Sequence, residues 1–308
     1  MKKLYATLGL LLPFLGFSQV GLINGGDFEN WTTTVVDVVL DEYETSNTEF
    51  PGAVTTSQST DAAHLSYSVL METKDYFGDT AFGYIANGDP GSLGGGQPHT
   101  TNIDSLTIRL KYDIVPGDSA TIALAQLGGS FPWIDIWKLT GTQNSWVTMS
   151  FPVFSIPHDT VMFAAASSNA FADFGAPGSW LQIDYVELAN NAGANEELID
   201  NSFESWSDID YEDPNWFTSY NDWAAYLGEV TVAKSTDAHS GTYAAELIVL
   251  EVDGDTANPL LTNGWIDQFL GPIGGVAYTS MPTNFDGAYQ WDPMGSSDSA
   301  WISVGFKD

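Results

Sequence analysis

The chain has 308 residues, of which 40 are acidic and 8 are lysine or arginine, so its formal net charge is −32. A surface this acidic repels phosphate backbones and anionic lipids, which argues against nucleic acid and polyanionic glycans as partners. Neutral sugars and divalent cations remain compatible with it. The chain has no cysteine, which excludes disulfides, zinc–thiolate sites and cysteine nucleophiles.

The first 18 residues have the pattern of a secretory signal peptide. Lys2 and Lys3 precede an apolar run over residues 4–17, so we expect cleavage after Ser18. No later stretch reaches the roughly 20 apolar residues that a transmembrane helix needs. The sequence therefore predicts a protein that is secreted or held on the outer cell surface, without insertion into a membrane.

The remaining chain contains nearly the same module twice. The first copy opens with Asp27-Phe28-Glu29-Asn30-Trp31, and the second opens with Ser202-Phe203-Glu204-Ser205-Trp206. A repeat at a nearly fixed spacing has to be recognised first, because it decides how many domains the chain has. Two further pairs of matching segments follow in the same order: Ser59-Thr60-Asp61 with Ser235-Thr236-Asp237, and Asp118-Ser119-Ala120 with Asp298-Ser299-Ala300.

Short runs of alternating polar and apolar residues recur along both copies, separated by Gly, Pro, Asn and Asp. Residues 105–112 alternate strictly, whereas helical periodicity is nearly absent. Many short strands with turns between them are typical of β-sandwiches and jelly rolls. We therefore predict an all-β chain of two tandem β-sandwich modules, over residues 20–189 and 196–308, joined by a small polar linker at 190–195.

The second copy is expected to be incomplete. The first copy continues for about 70 residues after Asp118-Ser119-Ala120, whereas the second has eight residues after Asp298-Ser299-Ala300. We therefore expect the second module to lack its closing strands and the sequence to be a fragment of a longer product. A second domain that is genuinely shorter is the alternative.

Several motifs carry a resemblance to a known family. They are the openings 24–31 and 200–206, the segment Asp213-Pro214-Asn215-Trp216, and the closing strand 180–188. Their order resembles galactose-binding-like jelly-roll modules, above all the carbohydrate metabolism domain and related carbohydrate-binding modules of secreted Bacteroidetes proteins. Such proteins often end in a C-terminal sorting domain for type IX secretion. None is present in this sequence, so a sorting domain or further modules are expected beyond it.

The resemblance also implies a structural calcium ion. Related modules often hold Ca²⁺ between the glutamate of the opening Phe-Glu and an aspartate of the closing strand. Glu29 and Asp184 occupy these places in the first copy, and Glu204 is the second-copy equivalent of Glu29. Calcium takes about six to eight oxygen ligands, largely carboxylates and carbonyls. The alternative is that Glu29 caps a turn and Asp184 faces solvent.

Two groups of aromatic residues are candidates for sugar binding, because flat sugar faces stack on aromatic rings. Trp133, Asp135 and Trp137 alternate along one predicted strand and so share a face, where the two indoles could form a platform. The alternative is that this face belongs to the core. Trp216, Tyr220 and Trp223 cluster in a loop-rich stretch of the second copy.

No catalytic residue stands out. A glycosidase needs two carboxylates about 5 to 9 Å apart, and 40 acidic residues single out no pair. We therefore predict a secreted, non-catalytic carbohydrate-binding protein for neutral polysaccharides. Two alternatives remain: an adhesin-like surface protein whose modules are spacers, and the accessory region of a polysaccharide-degrading enzyme whose catalytic part lies outside this chain.

Overall fold

The computed structural model describes residues 23–50, 53–171, 175–190, 196–252, 255–267, 270–278, 283–293, 295 and 298–306. The predicted signal peptide (1–18) and most of the predicted linker (191–195) lie outside these residues. The described chain is almost entirely β-structure, as alternation of polar and apolar residues predicts. Its helical parts are a short α-helix, α1 (Asn221–Ala224), and the 3-10 turns Ser46–Thr48 and Ala225–Leu227.

The first copy supplies most of the strands. In chain order they are β1 (Trp31–Leu40), β2 (Glu44–Thr45), β3 (Thr56–Ser59), β4 (Ser68–Tyr76), β5 (Asp79–Phe82), β6 (Tyr84–Ala86), β7 (Gly88–Asp89), β8 (Gly94–Gly95), β9 (Gln97–Pro98), β10 (Ser105–Asp113), β11 (Ala120–Leu127), β12 (Trp133–Leu139), β13 (Thr142–Pro152), β14 (Thr160–Ala166) and β15 (Trp180–Ala189).

The second copy contributes mostly strands of two to four residues. They are β16 (Glu196–Glu197), β17 (Trp206–Pro214), β18 (Thr218–Ser219), β19 (Val232–Ser235), β20 (Ala244–Leu247), β21 (Leu250–Val252), β22 (Asp255–Ala257), β23 (Leu261–Thr262), β24 (Trp265–Asp267) and β25 (Gly271–Ile273).

Two antiparallel sheets of the first copy form a β-sandwich, which confirms the predicted fold class. The seven-stranded sheet runs β13-β10-β15-β4-β3, with β16 beside β15 and β5 beside β4. The six-stranded sheet runs β12-β11-β14-β6-β2, with β9 beside β14. In the second copy, the strands from β18 to β25 pair only two by two within the described residues.

The core lies between these two sheets. Leu106, Ile108 and Leu110 alternate along β10 and are fully buried, as are Ile122 and Leu124 on β11. Each such side chain contributes roughly 1.5 to 3 kcal/mol by leaving water. Burial of this core therefore stabilises the sandwich in a chain that has no disulfide.

One side chain of this core comes from the second copy. Phe203 has no exposed surface, and its ring packs 5.5 Å from that of Tyr43. Leu198 belongs to the same core cluster, and the backbone of 196–197 extends the seven-stranded sheet beside β15. The Gln97 side chain bonds both the carbonyl of Glu197 and the amide of Ile199. The opening segment of the second copy therefore completes the sandwich of the first.

The opening strands of the two copies pair with each other. Strands β1 and β17 form an antiparallel ribbon in which Trp31 faces Pro214 and Leu40 faces Trp206. Equivalent residues of the two copies are 175 positions apart (203 − 28), and Val35 and Asp210 (210 − 35 = 175) face each other in this register. The two strands are therefore related by an approximate local two-fold axis near this pair, which the β-bulge between Val35 and Asp37 interrupts.

Candidate functional site

A cleft lies on the ribbon where the two copies meet. It has a volume of about 390 Å³, within the range of small-molecule pockets. Strand β1 contributes two threonine hydroxyls, and β17 with the turn after it contributes the remaining wall. We call it the Trp216 cleft. Its lining comprises Thr32, Thr34, Tyr211, Asp213, Pro214, Asn215, Trp216, Phe217 and Thr218.

Trp216 is the most unusual residue of this lining. Its backbone has φ 74°, the left-handed region that a bulky side chain rarely adopts, and its side chain is 65% exposed. Holding a residue there costs on the order of 1–3 kcal/mol, and such strain clusters at binding sites. An indole held out into solvent at this cost marks the cleft as a candidate for ligand binding.

The first copy fixes the backbone of the turn that carries Trp216. The amide of Asn215 donates to the carbonyl of Asn30 at 2.8 Å, and the amide of Phe217 donates to that of Pro214 at 3.0 Å. Gly25 packs directly against the turn, because a Cβ there would lie 2.1 Å from the carbonyl oxygen of Asn215. The cleft is therefore a composite of both copies.

Polar groups also line the cleft. The Thr32 hydroxyl donates to the side-chain oxygen of Asn215. The buried Asp213 carboxylate accepts hydrogen bonds from the Ser219 amide at 3.0 Å and its hydroxyl at 2.6 Å. Burial nevertheless raises the pKa of Asp213 to about 6, because desolvation of the charged form outweighs the two hydrogen bonds. The cleft thus pairs one aromatic surface with a rim of hydroxyl, amide and carboxyl groups.

The predicted cluster of Trp216, Tyr220 and Trp223 is divided in the structure. Tyr220 precedes helix α1 and Trp223 lies on it, with the Trp223 amide donating to the Tyr220 carbonyl at 3.2 Å. Both rings are partly exposed, but only Trp216 lines the cleft.

The predicted platform on β12 is also divided. Trp133 is 36% exposed and donates from Nε1 to Asp135, whose other oxygen accepts the Phe154 amide. Trp137 instead packs against the core, with its ring 5.3 Å from that of Phe151. The prediction of a platform of two indoles needs correction, because Trp133 is exposed whereas Trp137 is partly buried against the core cluster.

The predicted calcium residues bind different loops. Glu29 accepts the amides of Thr242 and Tyr243 at 2.7 and 3.1 Å, and these bonds lower its pKa. Asp184 accepts the Ala63 amide at 2.6 Å in the first copy. The pairing of Glu29 with Asp184 therefore needs correction, because the opening segments are exchanged between the copies.

Glu204 takes the place expected for Glu29. Its Oε1 accepts the amides of Ser66 and Tyr67 at 3.0 and 2.9 Å, in the loop that also contacts Asp184. Asp184 is fully buried, its Oδ1 has no hydrogen-bond partner, and burial raises its pKa. Among the described residues, no group of three or more His, Asp or Glu side chains is arranged to hold a metal.

Sequence reasoning missed several residues of these sites. Thr32 and Thr34 reach the cleft only because β1 pairs with a strand far along the chain. It also missed a buried asparagine that recurs in both copies. Asn47 accepts the amides of Thr55 and Thr56, and Asn221 accepts those of Thr231 and Val232, all at 2.9 to 3.0 Å. The sequence does contain a signal for this residue, because an asparagine stands at matching positions of the two copies.

Comparisons with known proteins give distant similarities. No family model matches the chain, and no curated protein matches it. A family 16 carbohydrate-binding module shares 14% identity over 44% of this chain and 86% of its own, with a TM-score of 0.31. TmCBM61, solved with β-1,4-galactotriose, shares 12% sequence identity over 54% of this chain and 93% of its own, with a TM-score of 0.27.

A further similar structure is the K1 cleaved adhesin domain of Lys-gingipain from Porphyromonas gingivalis. It shares 12% identity over 53% of this chain and 99% of its own, with a TM-score of 0.33. In the described part of the chain, no helix has the length and apolar character to cross a membrane.

Proposed function

We propose that this chain is a secreted, non-catalytic carbohydrate-binding protein and that the Trp216 cleft is its sugar site. The observation that carries the proposal is the conformation of Trp216, whose indole is 65% exposed from a strained backbone. Sugar rings present flat C–H faces that stack on such a surface, and an indole already held in place loses little conformational freedom on binding.

The polar rim suits the hydroxyl groups of a neutral sugar. Thr34, Asn215 and Tyr211 combine donors and acceptors, and Asp213 can donate when protonated and accept when ionised. With 40 acidic residues against 8 basic ones, the chain would repel uronic acids and sulfated glycans. The ligand we propose is therefore a neutral polysaccharide or oligosaccharide.

Affinity gel electrophoresis against a panel of neutral polysaccharides tests this proposal. We expect at least one glycan to retard the protein, and the Trp216→Ala variant to lose the retardation. Trp223→Ala is the matched control, because Trp223 is also partly exposed but does not line the cleft. Retardation that survives Trp216→Ala and disappears in Trp223→Ala would place the site on helix α1 instead.

Calcium binding is a second part of the proposal, with Asp184 and Glu204 as the carboxylate ligands. It is supported by the buried Oδ1 of Asp184, which has no hydrogen-bond partner, and by the shared loop 63–67. The ion would neutralise these carboxylates and stabilise the loop. We expect a chelator to lower the melting temperature of the wild type, and Asp184→Asn to abolish that effect.

Secretion belongs to the same proposal and rests on the pattern of residues 1–18. Expression of the full chain in a host with a matching export system should yield an exported protein that begins at Gln19. Intact-mass measurement checks this, and an uncleaved N-terminus would contradict it.

A further inference from the structure

One wall of the Trp216 cleft is a face of the ribbon formed by β1 and β17. In the register of the two strands, Thr32 lies opposite Asp213 and Thr34 lies opposite Tyr211. Residues that face each other across an antiparallel pair project their side chains to the same side of the sheet. Two hydroxyls, a phenol and a carboxyl group therefore share this face, and all four belong to the lining of the cleft.

The cleft has an acidic side chain but, among the residues that the structure describes, no lysine, arginine or histidine lines it. Lys234 pairs with Glu212 at 3.8 Å. Glu212 precedes Asp213 on β17, so its side chain points to the other face of the ribbon. The charged side chain that acts on Asp213 is a further carboxylate, Asp222. A ligand in the cleft therefore meets negative charge.

The protein's own groups compensate the Asp213 carboxylate only in part. Both of its hydrogen bonds come from Ser219, and burial together with the charge of Asp222 raises its pKa to about 6. A carboxylate can accept about four hydrogen bonds, so each oxygen has room for another donor. Titratable groups shifted in this way within a cleft are typical of functional sites. A positively charged donor would favour the ionised form of Asp213.

Aromatic rings lie in the same cleft. Tyr211, Trp216 and Phe217 all belong to its lining, and the exposed indole of Trp216 is open to a ligand. A cation over an aromatic ring is attracted by the negative face of the ring, and most strongly by that of Trp. An ammonium group in this cleft would therefore find both a carboxylate and an aromatic surface, the two groups that favour it most.

We propose that the Trp216 cleft binds glycans that carry an amino sugar whose amine is unacetylated and positively charged. This rests on the proposed function and narrows its ligand, since the glycan can be neutral along the rest of its length. The hydroxyls of Thr32 and Thr34 favour a sugar over a lysine side chain, because a sugar presents its own hydroxyl groups beside the ammonium. The net charge of −32 favours the approach of a cationic ligand.

Calorimetric titration of the full chain in about 0.15 M salt tests this proposal. The probes are a β-1,4-linked N-acetylglucosamine tetrasaccharide, the same tetrasaccharide with one amine unacetylated, and Nα-acetyl-lysine amide. We expect the free amine to strengthen binding of the tetrasaccharide at least about tenfold, because a hydrogen bond to a charged group contributes this much. Asp213→Asn should remove the preference. Asp208→Asn is the matched control and should keep it, because Asp208 is exposed on the same strand but does not line the cleft.

Several results would overturn the proposal. Equal affinity for the two tetrasaccharides would do so and would leave the proposed function standing. So would a preference that survives Asp213→Asn, or one that Asp208→Asn removes equally, since the latter reflects net charge alone. Binding of the lysine derivative as tightly as the tetrasaccharide with the free amine would show that the cleft does not select a sugar. If neither tetrasaccharide binds while a neutral polysaccharide still retards the protein, this proposal fails and the proposed function stands.

Discussion

Replacing Phe203 by alanine tests whether the second copy completes the first sandwich. The ring is fully buried among core residues that belong to the first copy. Truncation of a buried Phe removes its transfer free energy and leaves a cavity, which together cost about 3 to 5 kcal/mol. We expect Phe203→Ala to lower the free energy of unfolding of the first sandwich by this amount, although residue 203 follows its last long strand, β15.

Urea unfolding, monitored by hydrogen exchange of the backbone amides in β10 and β11, measures the change in the free energy of unfolding. These strands carry the core leucines and isoleucines and so report on the sandwich itself. Phe171→Ala is the matched control, because that ring is 61% exposed and should change stability by less than about 0.5 kcal/mol. If Phe203→Ala changes stability no more than this control, the reasoning about the exchanged segment is wrong.

Three further predictions concern single side chains. The pKa of Asp213 is raised from 3.8 to about 6, so the folded protein loses stability as pH rises through 6 and this carboxyl ionises. Between pH 4 and 7 the free energy of unfolding of Asp213→Asn should therefore rise by up to about 3 kcal/mol relative to that of the wild type, and equal pH profiles of the two proteins would contradict this. Asp118→Ala should cost about 3 kcal/mol or more in urea unfolding, because its carboxylate accepts the hydroxyls of Ser168 and Ser179; a loss below about 1 kcal/mol would show that this network is not required. Gly25→Ala should weaken glycan binding, because its Cβ would overlap Asn215, whereas Gly228→Ala has the same φ of 70° in open space and should not.

The pKa of Asp118 shows that hydrogen bonds to a carboxylate can outweigh the effect of burial. Burial alone would raise it, but bonds from Ser168, Ala176, Ser179 and Ser119 outweigh burial, and the pKa is lowered. The ionised Asp118 carboxylate therefore anchors Ser168, Ala176 and Ser179 to the start of β11.

The strands of the first sandwich were predictable from sequence because alternation is a local signal. Residues 105–112 alternate strictly, and they form most of β10. The same locality explains the failure at Trp137. Alternation correctly places Trp133, Asp135 and Trp137 on one face, but it does not say which face points to the core.

Local sequence patterns could not predict that the opening segments of the two copies are exchanged. Matching motifs identify Glu29 and Glu204 as equivalents, yet nothing in either motif says which copy each one contacts. That choice follows from the length of β1, which carries Phe28 and Glu29 away from their own repeat. Trp216 was identified from composition, whereas Thr32 and Thr34 join it only through the pairing of β1 with β17.

Calorimetric titration of the retarding glycan is the most direct test of the central claim. The account predicts that Trp216→Ala weakens binding about fivefold or more, since stacking on one aromatic ring contributes on the order of 1 kcal/mol or more. Trp133→Ala, at an exposed indole outside the cleft, should leave affinity within about twofold of the wild type. Full affinity in Trp216→Ala, with loss in Trp133→Ala, would contradict the account and place the sugar site at the end of β12.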